Sequence, residues 1–144
     1  MKMFPKADVP AFQVSLPTRV PLSRHLALGK ALAPLRNEGI LILGSGNVTH
    51  NLGQVHFAER DAEPESWARD FDAWAAGTLE EFDLEKLTRY REAPGGKMSH
   101  PSDDHYVSLV AAAAAAGGLG KPKIRYPYEG FDYGTLSMRC VKFN

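Results

Sequence analysis

The stretch that most limits what this chain can fold into is Gly39-Ile40-Leu41-Ile42-Leu43-Gly44. Four consecutive apolar residues between glycines leave no polar face for water, the pattern of a strand covered on both sides in a parallel sheet. The run stops at Gly44-Ser45-Gly46-Asn47-Val48-Thr49-His50-Asn51. Loops at the carboxyl ends of such strands are where open α/β sheets place their ligands. Upstream, Val9, Phe12, Val14 and Leu16 predict a strand over residues 9–16, with Pro10 near its start. Leu22, Leu26, Leu32 and Leu35 predict a helix over 22–38. Pro34 inside it predicts a kink or an early stop, and Gly39 suits the position after its end. Strand, helix and strand in this order form a βαβ unit with right-handed crossover.

Downstream, Trp67, Phe71, Trp74 and Thr78 follow helical spacing, predicting a helix over 64–77 that starts near Pro64 and Glu65. The aromatic stripe reads as core packing. A short helix is expected over 83–90 and a loop over 92–101, broken by Pro94-Gly95-Gly96. Ser102 or Asp103 is a candidate cap for a helix to about Ala116, with Tyr106, Leu109, Val110 and Ala113 on its apolar face. Its alanines allow a neighbour to approach closely. Strands are expected over 123–128 and 135–143, joined by the loop 129–134. With no helix between them, they should pair antiparallel.

Composition narrows the function. Lys plus Arg number 17 and Asp plus Glu number 17, so no surplus of positive charge attracts nucleic acid or an anionic membrane. The 144 residues suit one domain, 1–144. The run Ala111 to Ala116 is too short to span a bilayer. Met1-Lys2-Met3-Phe4-Pro5 shows no apolar signal core. A single cysteine, Cys140, excludes an internal disulfide framework and fits a reducing cytoplasm; it is expected to pack in an apolar terminal strand.

Chemistry concentrates in five histidines: His25, His50, His56, His100 and His105. His25 reads as a partly exposed packing residue, His56 as structural, and His100 as a loop residue able to line a pocket. His50 stands in the glycine-rich loop, where a backbone can come close to a ligand, and imidazole exchanges protons near neutral pH. His105 follows Asp103 and Asp104 in the first turn of the alanine-rich helix. Either it ligates a metal, or the aspartates complement the helix dipole and His105 is a bystander. Gly44-x-Gly46 starts a dinucleotide fingerprint whose third glycine would fall at Thr49, leaving a nucleotide-binding module as an incomplete match. No P-loop, nucleophile elbow or paired-histidine zinc helix is present.

Four stretches change the balance: Phe4-Pro5-Lys6-Ala7-Asp8-Val9-Pro10, residues Glu38 through Leu52, Pro101-Ser102-Asp103-Asp104-His105-Tyr106 and Gly134-Thr135-Leu136-Ser137-Met138. In order and spacing they resemble the second half of the 4,5-DOPA extradiol dioxygenase family, among the class III (LigB-type) ring-cleaving enzymes. The resemblance implies an α/β fold, a partial mixed sheet with flanking helices that lacks the amino-terminal half of the LigB-type fold. It implies a non-haem Fe(II), or Zn in purified protein, held by facial ligands with open positions. It also implies a catechol such as DOPA and O2 as substrates. By the same resemblance His105 is a metal ligand and His50 the acid/base that takes a catechol proton, approaching the metal in some members. The family's first two metal histidines lie in Gly-His-Gly and Ser-Ala-His stretches, and neither occurs here. The chain starts where a family member reaches its middle, as a truncated product, an internal-start fragment or one piece of a split enzyme would. A non-catalytic fragment that pairs with itself or with another chain is the alternative. Substrate-binding residues are not identified; Trp67, Trp74, Tyr126, Tyr128, Phe131 and Tyr133 are pocket candidates that read more simply as packing.

Overall fold

The computed structural model describes residues 4–6, 8–118 and 120–144. Met1 to Met3 of the amino-terminal reading and Ala7 of the first resembling stretch lie outside them. The architecture is mixed, with helices α1 (Leu22–Leu32), α2 (Ser66–Glu81), α3 (Leu84–Thr88), α4 (Gly96–Ser99) and α5 (Tyr106–Gly117), and strands β1 (Ile124–Tyr128), β2 (Phe131–Asp132), β3 (Leu136–Ser137) and β4 (Cys140–Phe143). No helix of the described residues is long and apolar enough to cross a membrane.

Helix α1 stops where proline dictates. Pro34 turns the continuation into the 3-10 helix Ala33–Glu38, and Gly39 follows in the left-handed conformation. The expected early stop is thus observed. Helix α2 begins after Pro64, with Glu65 as its flanking residue, and runs four residues beyond the expected end to Glu81. Within 92–101, read as loop, the one-turn helix α4 forms behind Gly95. The tail strands pair antiparallel as expected, β1 with β4, but the expected strand 135–143 is split into β3 and β4, and β2, within the expected loop 129–134, pairs with β3.

Two expectations fail. Residues 9–16 and 40–43 form no strand among the described residues, so the βαβ unit is not closed and the sheets are two separate two-stranded ones. Phe12 is 73% exposed, Leu41 63% and Leu43 70%. An extended segment becomes a strand only when a neighbour takes up its N–H and C=O groups, and neither segment has one here. Cys140, expected to pack, is exposed because it falls on the outward side of β4.

The core lies between the helices. Helix α1 packs on α5, and Leu26, Val48, Phe71, Ala75, Tyr90, Tyr106, Val110 and Ala114 form one buried cluster. A second joins Leu79, Leu87 and Ala113 to Ile124, Val141 and Phe143 of the β1–β4 hairpin. The stripe on α2 is core only in part: Phe71 and Thr78 are buried, while Trp67 and Trp74 are half-buried. A buried ion network ties α2 to the tail. Arg139 donates from Nε to Asp72 Oδ1 at 2.9 Å and from Nη2 to Asp72 Oδ2 at 2.6 Å, and stacks its guanidinium over Tyr126. The paired carboxylates hold that guanidinium even more firmly protonated than usual, against its burial.

Candidate active site

The loop after residue 43 reaches the amino end of α5 because it has no side chains in the way. A Cβ on Gly46 would lie 2.3 Å from the carbonyl oxygen of His105, and one on Gly44 would lie 2.8 Å from that of Ser108. These glycines thus serve the approach of two chain segments rather than of a phosphate. The result is a face-to-face pair: the rings of His50 and His105 have centroids 3.4 Å apart and planes 8° from parallel.

Hydrogen bonds hold the loop on both flanks. On one side the His50 N–H donates to the Ser99 carbonyl at 2.9 Å, and Asn51 Nδ2 donates to the Met98 carbonyl at 2.6 Å. His100 Nε2 lies 2.6 Å from the Val48 carbonyl oxygen. On the other side Thr49 Oγ1 donates to the Thr135 carbonyl and accepts from the Ser137 N–H, both at 2.6 Å. Asn47 Nδ2 reaches the Ser137 carbonyl at 3.1 Å. The Asn47 N–H points at His105 Nδ1 from 3.4 Å. In that arrangement Nδ1 accepts, the proton of a neutral ring sits on Nε2, and an ion could be taken only with loss of this long contact.

Burial holds the His50 ring below the usual imidazole range, and the nearby His105 adds to this; the carboxylate of Asp104 opposes it. His50 is therefore neutral near pH 7, the state in which an imidazole accepts a proton. Asp104 is itself kept below the carboxylate range, chiefly by the Ser102 hydroxyl. Asp103 does not cap α5 through its side chain, as expected from sequence. Although burial pushes its carboxyl up, hydrogen bonds from Tyr90 and Arg91 outweigh it and hold it low. A cleft of roughly 530 Å3 opens between the 16–20 loop, His25 and the Asp103–Asp104 corner.

The other histidines stay apart from this pair. His25 is buried, not partly exposed as expected, with Nε2 3.0 Å from the Pro17 carbonyl. His56 is exposed beside Glu65, with Nε2 3.4 Å from the carboxylate. His100 is fully buried and does not line the cleft beside Asp104. Of the aromatic pocket candidates, Tyr126 packs under Arg139 and bonds the Ala76 carbonyl, and Tyr128 is 58% exposed. Sequence reading missed Ser99, Thr49, Thr135 and Ser137. Thr49, Thr135 and Ser137 lie inside the family-resembling stretches, but their roles did not show there, because each of the four acts across a long stretch of chain.

Two imidazoles side by side are donors of the kind a divalent iron or zinc ion takes. In kind the pair fits; in number it falls short. Among the described residues no three His, Cys, Asp or Glu side chains gather closely enough to hold an ion.

Residues 1–137 match the family described as "Catalytic LigB subunit of aromatic ring-opening dioxygenase". The chain belongs to this family. Among its relatives, the 4,5-DOPA dioxygenase extradiol of Escherichia coli K12 is 36% identical across 99% of the chain and 52% of that protein. That of Beta vulgaris is 35% identical, again across 99% of the chain and 52% of that protein. A crystal structure of the uncharacterized protein JW3007 from E. coli K12 superposes with a TM-score of 0.87 at 35% identity, covering 96% of this chain and 57% of that one. The LigB-family chain thus spans about half the length of the relatives it matches. The open segments at residues 9–16 and 40–43 belong to a fold that is longer in those relatives.

Proposed function

We propose that this chain supplies one wall of an extradiol dioxygenase active site, with His105 as a metal donor and His50 as the acid/base. Residues 1–144 act as a single domain, the carboxyl-terminal half of the catalytic unit. The remaining donors come from a polypeptide carrying the other half of the family fold, which docks along the bare segments around Phe12, Leu41 and Leu43. The stacked His50–His105 pair carries the reading, because it unites two distant family-resembling stretches at one point.

The substrates are a catechol such as DOPA and O2. Cleavage breaks the ring bond beside the diol, and both oxygen atoms enter the product. Fe(II), or Zn in purified protein, would be held in part by His105; when bound, the iron supplies the path for electrons from catechol to oxygen. His50, kept neutral by burial, takes the proton of a catechol hydroxyl on its free ring nitrogen and holds it beside His105. The protonated ring is costly in this setting, which favours handing the proton back as the ring opens. A reducing cytoplasm suits both ferrous iron and the exposed Cys140.

The test is an anaerobic iron titration followed by oxygen uptake with L-DOPA. It is run on the chain alone and after mixing with the amino-terminal half of a family relative. Turnover is expected only in the mixture, and is lost in His105→Ala together with metal, and in His50→Ala with most metal affinity retained. Robust turnover by the chain alone overturns the half-site reading, and silence in the mixture overturns the enzymatic one. A native mass showing only self-pairing favours the non-catalytic alternative, for which the bare apolar segments are the supporting observation.

A further inference from the structure

We propose that His100 is a positioning residue for His50: it holds the Val48 carbonyl and so sets the loop that stacks His50 on His105. The proposal deepens the reading of that pair as the reactive one, and its geometric content stands without it.

A carbonyl oxygen only accepts, so His100 Nε2, 2.6 Å from Val48 O, carries the ring proton. The ring is then one fixed neutral tautomer. Its Nδ1 is buried and has no hydrogen-bond partner among the described residues. An unpaired buried nitrogen is a cost that a hydrocarbon ring would avoid. The surroundings would suit a hydrocarbon: Phe71, Tyr90 and Tyr106 stand around His100 with ring centroids 5.6, 5.5 and 5.1 Å away. Filling space does not account for a histidine here. Donating to Val48 does.

The consequence for His50 follows from the chain. Val48 and Thr49 are buried at 3% and 0% exposure, so the Val48 carbonyl has no water to turn to. Residue 99, next to His100, accepts the His50 N–H at 2.9 Å, and Thr49 is held from the opposite side by Thr135 and Ser137. The His50 backbone is thus fixed on two flanks, and one anchor on the first flank is a ring nitrogen that no backbone group can replace. Without that donor, the 48–49 peptide rotates to find another partner, and His50 leaves His105.

Imidazole NMR on the metal-free chain tests this directly. Wild type should show His100 as the Nε2–H tautomer, and His50 and His105 ring protons moved upfield by their mutual stacking. His100→Phe should keep the fold by circular dichroism and lose those upfield shifts. His100→Gln, whose Nε2 stands as many bonds from Cβ as the histidine's, should restore them. Zinc titration should follow the same order, with affinity about tenfold weaker in the Phe variant than in the Gln variant. Three results overturn the proposal: a wild-type Nδ1–H tautomer, which needs no variant; unchanged His50 and His105 shifts in a folded Phe variant; or shifts that Gln does not restore. Weak or absent zinc binding by the isolated wild-type chain is what a half-site of two imidazoles predicts, and the ring shifts then decide the role of His100.

Discussion

At the scale of single residues, the site depends on what is missing as much as on what is present. Gly46 has no Cβ, and that absence lets the loop press against His105. Gly46→Ala should push the two segments apart and cost about 1–3 kcal/mol of stability, read from urea unfolding, with loss of the His50–His105 stacking shifts. His100 makes the fold sensitive to acid. Burial pulls its ring down to about 4, against the pull of its bond to Val48. An unfolded histidine titrates near 6.5, so its contribution is complete above that pH and is lost as pH falls from about 6.5 toward 4, by roughly 3 kcal/mol in all. Urea unfolding at pH 7 and pH 4.5 should show this loss in wild type and a flatter profile in His100→Phe. A wild-type stability unchanged across that window would contradict the buried neutral ring.

At the scale of elements, packing overrides local preference inside α1. Gly29 lies inside α1, where alanine would favour the helix by about 1 kcal/mol. A Cβ there would meet the Ala111 carbonyl of α5 at 2.2 Å and the Ala114 methyl at 2.6 Å. Gly29→Ala is therefore expected to destabilise by about 1–3 kcal/mol, the opposite sign to propensity, as a thermal melt will show. The Arg139–Asp72 bridge joins the tail to α2 with both side chains nearly buried. Arg139→Ala should cost about 3–5 kcal/mol, because it leaves the Asp72 carboxylate buried and unpaired. Arg139→Lys should recover only part of that, since an ammonium cannot match both oxygens in the plane. The bridge matters to the site because Ser137 bonds Asp72 through its hydroxyl and Thr49 through its N–H.

At the scale of the whole molecule, the unsatisfied parts are the bare apolar segments 9–16 and 40–43. Phe12, Leu41 and Leu43 expose side chains that the same residues in a closed sheet would bury. Leu41→Glu with Leu43→Glu should change the stability of the isolated chain by no more than about 0.5 kcal/mol, yet abolish activation by a supplied amino-terminal half. Binding and oxygen-uptake titrations check this, and unimpaired activation would place the docking surface elsewhere.

The helices and their ends were largely legible in the sequence, since Pro34, Gly39 and the apolar spacing of α2 and α5 act within a few residues of themselves. Family membership was legible too, because it rests on the order of residues along the chain. Residues 9–16 and 40–43 carry strand chemistry, but pairing is a property of two segments, and tertiary structure alone shows that neither is paired among the described residues. The stacking of His50 on His105, the burial of His100 and the use of Gly46 were likewise beyond one-dimensional reading. Each joins positions tens of residues apart, and a periodicity or a cap records only what neighbouring residues do to one another.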